Sequence, residues 1–167
     1  MLIGLLVIWL IYLLDNPLLK QAEAVQHAVF HVLQRHHFAL ELMILKPNMV
    51  LPGKDCRRAK PDEVATATLK ILRRTVPAAV PSINFLSGGQ DPKEATANLN
   101  AINQQGRDAP WNLSISYGRA LQQTALQAWR GNKENLAAAQ QALLKRARLN
   151  SAAQHGLYHS DMETVDE

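Results

Sequence analysis

The sequence predicts an α/β fold in which strand–helix units repeat around a parallel sheet. Residues 42–45, 82–86 and 111–117 carry that prediction. Each is a short apolar or alternating run, closed by Pro, Ser or Gly and followed by a stretch of helical spacing. Strand then helix, three times over, is the pattern of a parallel sheet whose active residues collect at the strands' carboxyl ends. Lys46, Ser87 and Arg119 stand at those three ends.

Composition bounds the class. The 167 residues are enough for one domain with a real core, and 47% hydrophobic with 5% aromatic content suits an aliphatic-packed globular chain. Eighteen basic against fourteen acidic residues leave a formal charge of +4. That balance fits a phosphorylated substrate and is too small and dispersed to argue for nucleic acid. A single cysteine, Cys56, excludes an intrachain disulfide and favours a reducing compartment.

Residues 1–14 contain no charged side chain. The run is shorter than the ~20 residues that span a bilayer. It resembles the apolar region of a signal peptide, with Ala22-Glu23-Ala24 as a small-residue cleavage site, but no Lys or Arg precedes it. A buried strand explains it equally well. The reading is a divergent apolar segment over 1–20 in a cytoplasmic protein, with membrane association or secretion as the alternative.

From 21 to 37, Val25, Ala28, Val29, Val32 and Leu33 follow helical spacing. His27 and His31 lie one turn apart on it, as His155 and His159 do near the C-terminus, and neither pair brings the third ligand that a zinc helix requires. They read as surface histidines. Residues 42–45 then form a strand that surfaces at Lys46 and is stopped by Pro47. A lysine so placed can attack a carbonyl to form a Schiff base. The plainer reading lays its stem along the strand end with the ammonium in water. The basic cluster of Lys54, Arg57, Arg58 and Lys60 reads as solvated loop.

Pro61, Asp62 and Glu63 open the next helix, with Val64, Ile71 and Leu72 on its apolar face and Arg73 and Arg74 at its end. The strand at 82–86 runs into Ser87-Gly88-Gly89, and Asp91-Pro92-Lys93-Glu94 carries a capping-box signature for the helix through Leu99 and Ile102. Strand, small-residue turn and helix together can offer free backbone amides to a phosphate, although glycines also serve plain tight turns. The alternating strand at 111–117 ends in Gly118-Arg119. Arg119 offers a planar fork for bidentate phosphate contact, or else an ordinary ion pair at a helix start. The helix behind it carries Leu121, Ala125, Leu126 and Trp129, and a final helix over 133–153 places Leu136, Ala139, Leu143, Leu144 and Ala147 on one face. The chain closes on an acidic tail, 161–167.

Leu-Lys-Pro-Asn-Met-Val at 45–50, Arg-Arg-Thr-Val-Pro-Ala-Ala-Val-Pro at 73–81, Phe-Leu-Ser-Gly-Gly at 85–89, Asn-Leu-Asn-Ala-Ile-Asn at 98–103 and Ser-Tyr-Gly-Arg-Ala-Leu at 116–121 closely resemble class I fructose-bisphosphate aldolase of animals. The match runs from about 21 to 158 and corresponds to the C-terminal part of that enzyme. The resemblance implies a partial (β/α)8 TIM barrel, its last three or four βα units plus a C-terminal helix, over 21–160. It implies a glycolytic lyase that cleaves fructose 1,6-bisphosphate to dihydroxyacetone phosphate and glyceraldehyde 3-phosphate without metal or other cofactor. Lys46 matches the Schiff-base lysine, and Ser87, Gly88, Gly89, Gly118 and Arg119 match the substrate-phosphate site.

Departures are equally specific. The family carries an acidic pair on the strand preceding the lysine, and residues 1–20 contain no glutamate. Leu42 and Met43 stand where Gly and Thr are usual, which predicts crowding beside Lys46. Arg130 replaces a customary glycine, and the terminal catalytic tyrosine has no counterpart in a chain ending at Glu167. A partial barrel is expected to leave an open strand edge and an uncovered apolar face. Its expected partners are sugar phosphate, and another copy of itself or full-length aldolase subunits. The alternative function is a non-catalytic fragment that binds sugar phosphate weakly or associates with intact subunits.

Overall fold

A computed structural model describes residues 6–7, 17–53 and 57–164. Four strands, β1 (Leu6–Val7), β2 (Ile44–Lys46), β3 (Ser82–Phe85) and β4 (Asn112–Ile115), form one sheet in the order β1-β2-β3-β4. Every pair is parallel. Helices α1 (Pro17–Arg35), α2 (Pro61–Thr75) and α3 (Pro92–Gln105) connect the strands, and α4 (Arg119–Trp129) and α5 (Leu136–Gln154) follow β4. This is the parallel sheet that the strand–helix rhythm predicts, arranged as the partial βα barrel that the resemblance implies. The apolar run at 1–14 contributes β1; the rest of it, like Lys54 and Cys56, lies outside the described residues.

The register explains which face is buried. Leu45 pairs with Ile83 and Ile83 with Leu113, and these three side chains are 0%, 0% and 3% exposed. They pack with Val64, Leu69 and Leu72 of α2 and Ala95, Leu99 and Ile102 of α3 in one core. Because successive side chains alternate, the opposite face carries Ile44, Lys46, Ser82 and Asn84, all half-buried, and Asn112, which is exposed. On β2–β4 that face is mixed, Ile44 beside polar side chains, since these strands alternate where a fully covered parallel sheet would be apolar on both sides.

Two further expectations change. Leu42 lies in a 3₁₀ turn, Leu40–Leu42, and is 62% exposed, so it does not crowd the sheet; Met43, 1% exposed, fills the core instead. On α5 most of the expected stripe is on the outside: Leu136, Leu143, Leu144 and Ala147 are exposed and only Ala139 of it is buried, together with Arg146, Leu149, Asn150 and Ala153. Leu126 and Trp129 of α4 are exposed as well. The buried stripe of α5 is set by a polar network, in which Thr96 Oγ1 of α3 donates to Asn150 Oδ1 at 2.7 Å and Arg146 Nη2 donates to Thr96 Oγ1 at 3.0 Å.

Candidate active site

Three strand ends stand side by side. Leu86 N donates to Pro47 O at 3.0 Å, tying the residue after Lys46 to the residue before Ser87. Ser116 N donates to Phe85 O at 2.8 Å, which carries the same edge across to Gly118-Arg119. Lys46, the Ser87-Gly88-Gly89 turn and Arg119 therefore follow the carboxyl ends of three adjacent parallel strands, where ligands of βα barrels bind.

Lys46 is the last residue of β2, half-buried, beside the fully buried Leu45. Ser87 is 8% exposed, and its carbonyl accepts from both Gln90 N (3.0 Å) and Gln90 Nε2 (2.9 Å). The central residues of that four-residue turn, Gly88 and Gly89, have φ of +58° and +84°. Two successive positive φ values define a turn that side-chain-bearing residues adopt only at a cost, which is why two glycines occupy it. The turn is braced from below. Gln90 is buried, accepts from Asn98 Nδ2 of α3 at 2.6 Å and points Nε2 toward Met49 Sδ at 3.7 Å. Gln90 escapes sequence reading because nothing in its spacing separates a bracing amide from a surface one.

Asp91 caps α3, its Oδ1 accepting from Lys93 N at 2.9 Å. The partner is Lys93 and not Glu94, so the cap forms without the reciprocal box. That carboxylate already answers the start of α3. At the third strand end Gly118 precedes α4 with φ −90° and ψ −89°, and no side chain caps this helix. Arg119, its first residue, is exposed and makes no ion pair with any described residue. The ion-pair reading of Arg119 thus falls away. Tyr117 anchors this end, donating from its hydroxyl to Ala95 O at 2.9 Å.

His27, His31, His155 and His159 all lie exposed on the surface. Within the basic loop, Arg57 is not simply solvated: its guanidinium forks onto Glu63 at 3.0 and 2.8 Å while Lys60 N donates to Glu63 Oε2 at 2.8 Å. The Arg57 hydrogen bond and then the Lys60 amide hold the Glu63 carboxyl down at about 2. No helix among the described residues is long and apolar enough to cross a membrane.

The fold is part of a βα barrel, with Lys46, Ser87 and Arg119 following the carboxyl ends of adjacent strands. The family model of class-I fructose-bisphosphate aldolase matches residues 17–167, and the chain belongs to that family. It is 53% identical over 141 residues to the cytoplasmic isozyme of fructose-bisphosphate aldolase from Cicer arietinum, covering 84% of this chain and 39% of that one. Against fructose-bisphosphate aldolase of Drosophila melanogaster the identity is 53% over 139 residues, with 83% and 38% covered. A solved fructose-bisphosphate aldolase from Plasmodium falciparum, in complex with TRAP and a small-molecule inhibitor, superposes with a TM-score of 0.82 at 46% identity, over 85% of this chain and 41% of that one. The chain thus spans about two fifths of the length of the relatives it matches.

Proposed function

We propose that this chain carries the imine-forming and phosphate-holding end of a class I fructose-bisphosphate aldolase. The observation that supports it is the pairing of β2, β3 and β4 in parallel, which lines up the ends bearing Lys46, Ser87 and Arg119. In this reading Lys46 Nζ attacks the ketone carbon of dihydroxyacetone phosphate or of open-chain fructose 1,6-bisphosphate, and loss of water leaves an imine. The amides and hydroxyl of Ser87, Gly88 and Gly89, with Gly118 and the Arg119 fork, hold the phosphate. Once protonated, the imine nitrogen accepts the electron pair released as the bond between the third and fourth carbons breaks. The departing fragment leaves as glyceraldehyde 3-phosphate when a base takes its hydroxyl proton. Like its cytoplasmic relatives, the chain would work in the cytoplasm.

A second reading is favoured by one specific feature. The strand paired with that of Lys46 carries Leu6 and Val7, with Val7 opposite Lys46, where the resemblance places an acidic pair. Loss of a positioned acid or base costs on the order of 10²–10⁴-fold in rate. On this reading the chain binds sugar phosphate or joins intact subunits, or another copy of itself, without turning over. Dihydroxyacetone phosphate added with borohydride, followed by peptide mass spectrometry and a cleavage assay on the same sample, separates the two. A reduced adduct on Lys46 that Lys46→Met abolishes supports the inherited chemistry. Turnover beside it supports the enzyme; an adduct without turnover supports the second reading. No adduct on the folded chain rejects the inherited chemistry and leaves only the ancestry.

A further inference from the structure

Asn48 follows Lys46 by two residues, across the rigid Pro47, and is buried, with 5% exposure. Its carboxamide lies directly against Gly88. A Cβ placed on Gly88 would collide with Asn48 Oδ1 and come within 3.0 Å of Cγ and 3.1 Å of Nδ2. Asn48 therefore fills the volume that the missing side chain of Gly88 leaves. The residues flanking Asn48 are held too, Pro47 and Met49 by this loop and Val50 by α2. Pro47 O accepts from Leu86 N at 3.0 Å, Met49 Sδ receives Gln90 Nε2 at 3.7 Å, and Val50 N donates to Thr68 Oγ1 of α2 at 2.9 Å. Residues 47–49 are thus joined one by one to the loop from Leu86 to Gln90, with Asn48 at the centre.

The oxygen of that carboxamide is buried and has no donor among the described residues. Such an atom costs about 1–3 kcal/mol, so hydrogen bonding does not account for an asparagine here, whereas its flat shape against a glycine does. We propose that Asn48 is a positioning residue that locks the Ser87-Gly88-Gly89 turn to the Lys46 strand end, so that phosphate capture by the turn presents the ketone to the lysine. This rests on the reading of Lys46 and the turn given above. Asn48 touches neither phosphate nor ketone; it acts through Gly88.

The test compares the full chain with Asn48→Ala in two measurements. Amide hydrogen exchange without ligand should rise at least about tenfold at Leu86 and Gln90, the hydrogen-bonded amides of the loop, with α3 unchanged. Borohydride trapping against dihydroxyacetone phosphate concentration should show about a tenfold higher half-saturating concentration, with the saturating trapping rate within about twofold. Asn48→Leu, which keeps the branched volume without adding charge, should restore slow exchange at Leu86 and Gln90. Unchanged exchange there, or a uniform rise through the whole chain, overturns the lock. An unchanged half-saturating concentration together with an unchanged saturating rate overturns the positioning role. If the unsubstituted chain traps nothing, the functional reading fails and takes the coupling to chemistry with it, while the exchange comparison still decides whether Asn48 holds the turn.

Discussion

Arg146 and Glu163 form a forked ion pair, Nη1 to Oε2 at 3.0 Å and Nη2 to Oε1 at 2.7 Å, with side chains only 5% and 8% exposed. Tyr158 adds its hydroxyl to Glu163 Oε1 at 3.0 Å, and Tyr158 N donates to Asn100 Oδ1 at 2.9 Å. One acid of the C-terminal run is thereby pulled out of solvent, and the 3₁₀ turn Ser160–Glu163 is fastened to α3 and α5. Removing one partner strands a buried charge. Arg146→Met should cost about 3–5 kcal/mol in urea unfolding, and Arg146→Met with Glu163→Leu should recover most of it. Burial alone would raise the Glu163 carboxyl, but the hydrogen bonds and charge of Arg146, helped by Tyr158 and Lys93, outweigh it and hold the group below its ordinary 4.5. A depressed carboxyl stabilises the fold fully above its unfolded value. Stability should therefore fall as pH drops below about 4.5, and Glu163→Gln should flatten that acid limb.

The alkaline limb belongs to tyrosines. Burial, then the bond to and charge of Glu163, push Tyr158 up to about 12 from 10.0, and burial drives Tyr117 upward too. Their folded states favour the neutral phenol. That contribution is whole below pH 10 and is lost for Tyr158 between 10 and about 12. Melting temperatures should decline across that window, and Tyr158→Phe should shrink the decline while costing about 1 kcal/mol at neutral pH for the lost hydrogen bond.

Asp91 and Glu94 separate a cap from a capping box. Only Asp91 holds a first-turn amide of α3. Asp91→Ala should destabilise by about 1 kcal/mol, and Glu94→Ala should stay within about 0.5 kcal/mol of the parent. Chemical denaturation of the two variants side by side checks this, and equal losses would contradict the single-bond cap.

Arg130 ends α4 at φ 53°, the left-handed conformation, with Gly131 following at φ 73°. An L-residue there carries about 1–2 kcal/mol of strain, and this is where the family's glycine would sit. Arg130→Gly exchanges that strain for about 0.5–1 kcal/mol of chain entropy. Thermal unfolding should show a net gain of up to about 1 kcal/mol; a loss would mean that the arginine's contacts outweigh its backbone.

What could be read from residues alone divides along physical lines. β2, β3, β4 and the helices between them were legible because aliphatic runs, Pro61, Pro92 and the paired glycines each admit few local conformations. The three strand ends followed from those elements. The face of α5 was not legible. Counting leucines selects Leu136, Leu143 and Leu144, whereas the helix buries Arg146 and Asn150 through partners on α3 and in the C-terminal turn. Gln90 and Asn48 were invisible for a related reason: a buried amide is recognised by what touches it, and those contacts lie across the chain.

The sheet order β1-β2-β3-β4 repeats the order of the chain. Each strand therefore meets a partner made just before it, with one helix between. During synthesis each strand emerging from the ribosome finds its neighbour already built, while Thr96 and Asn100 of α3 wait for Asn150 and Tyr158. Assembly of the sheet can proceed vectorially, from one end, at the pace of translation.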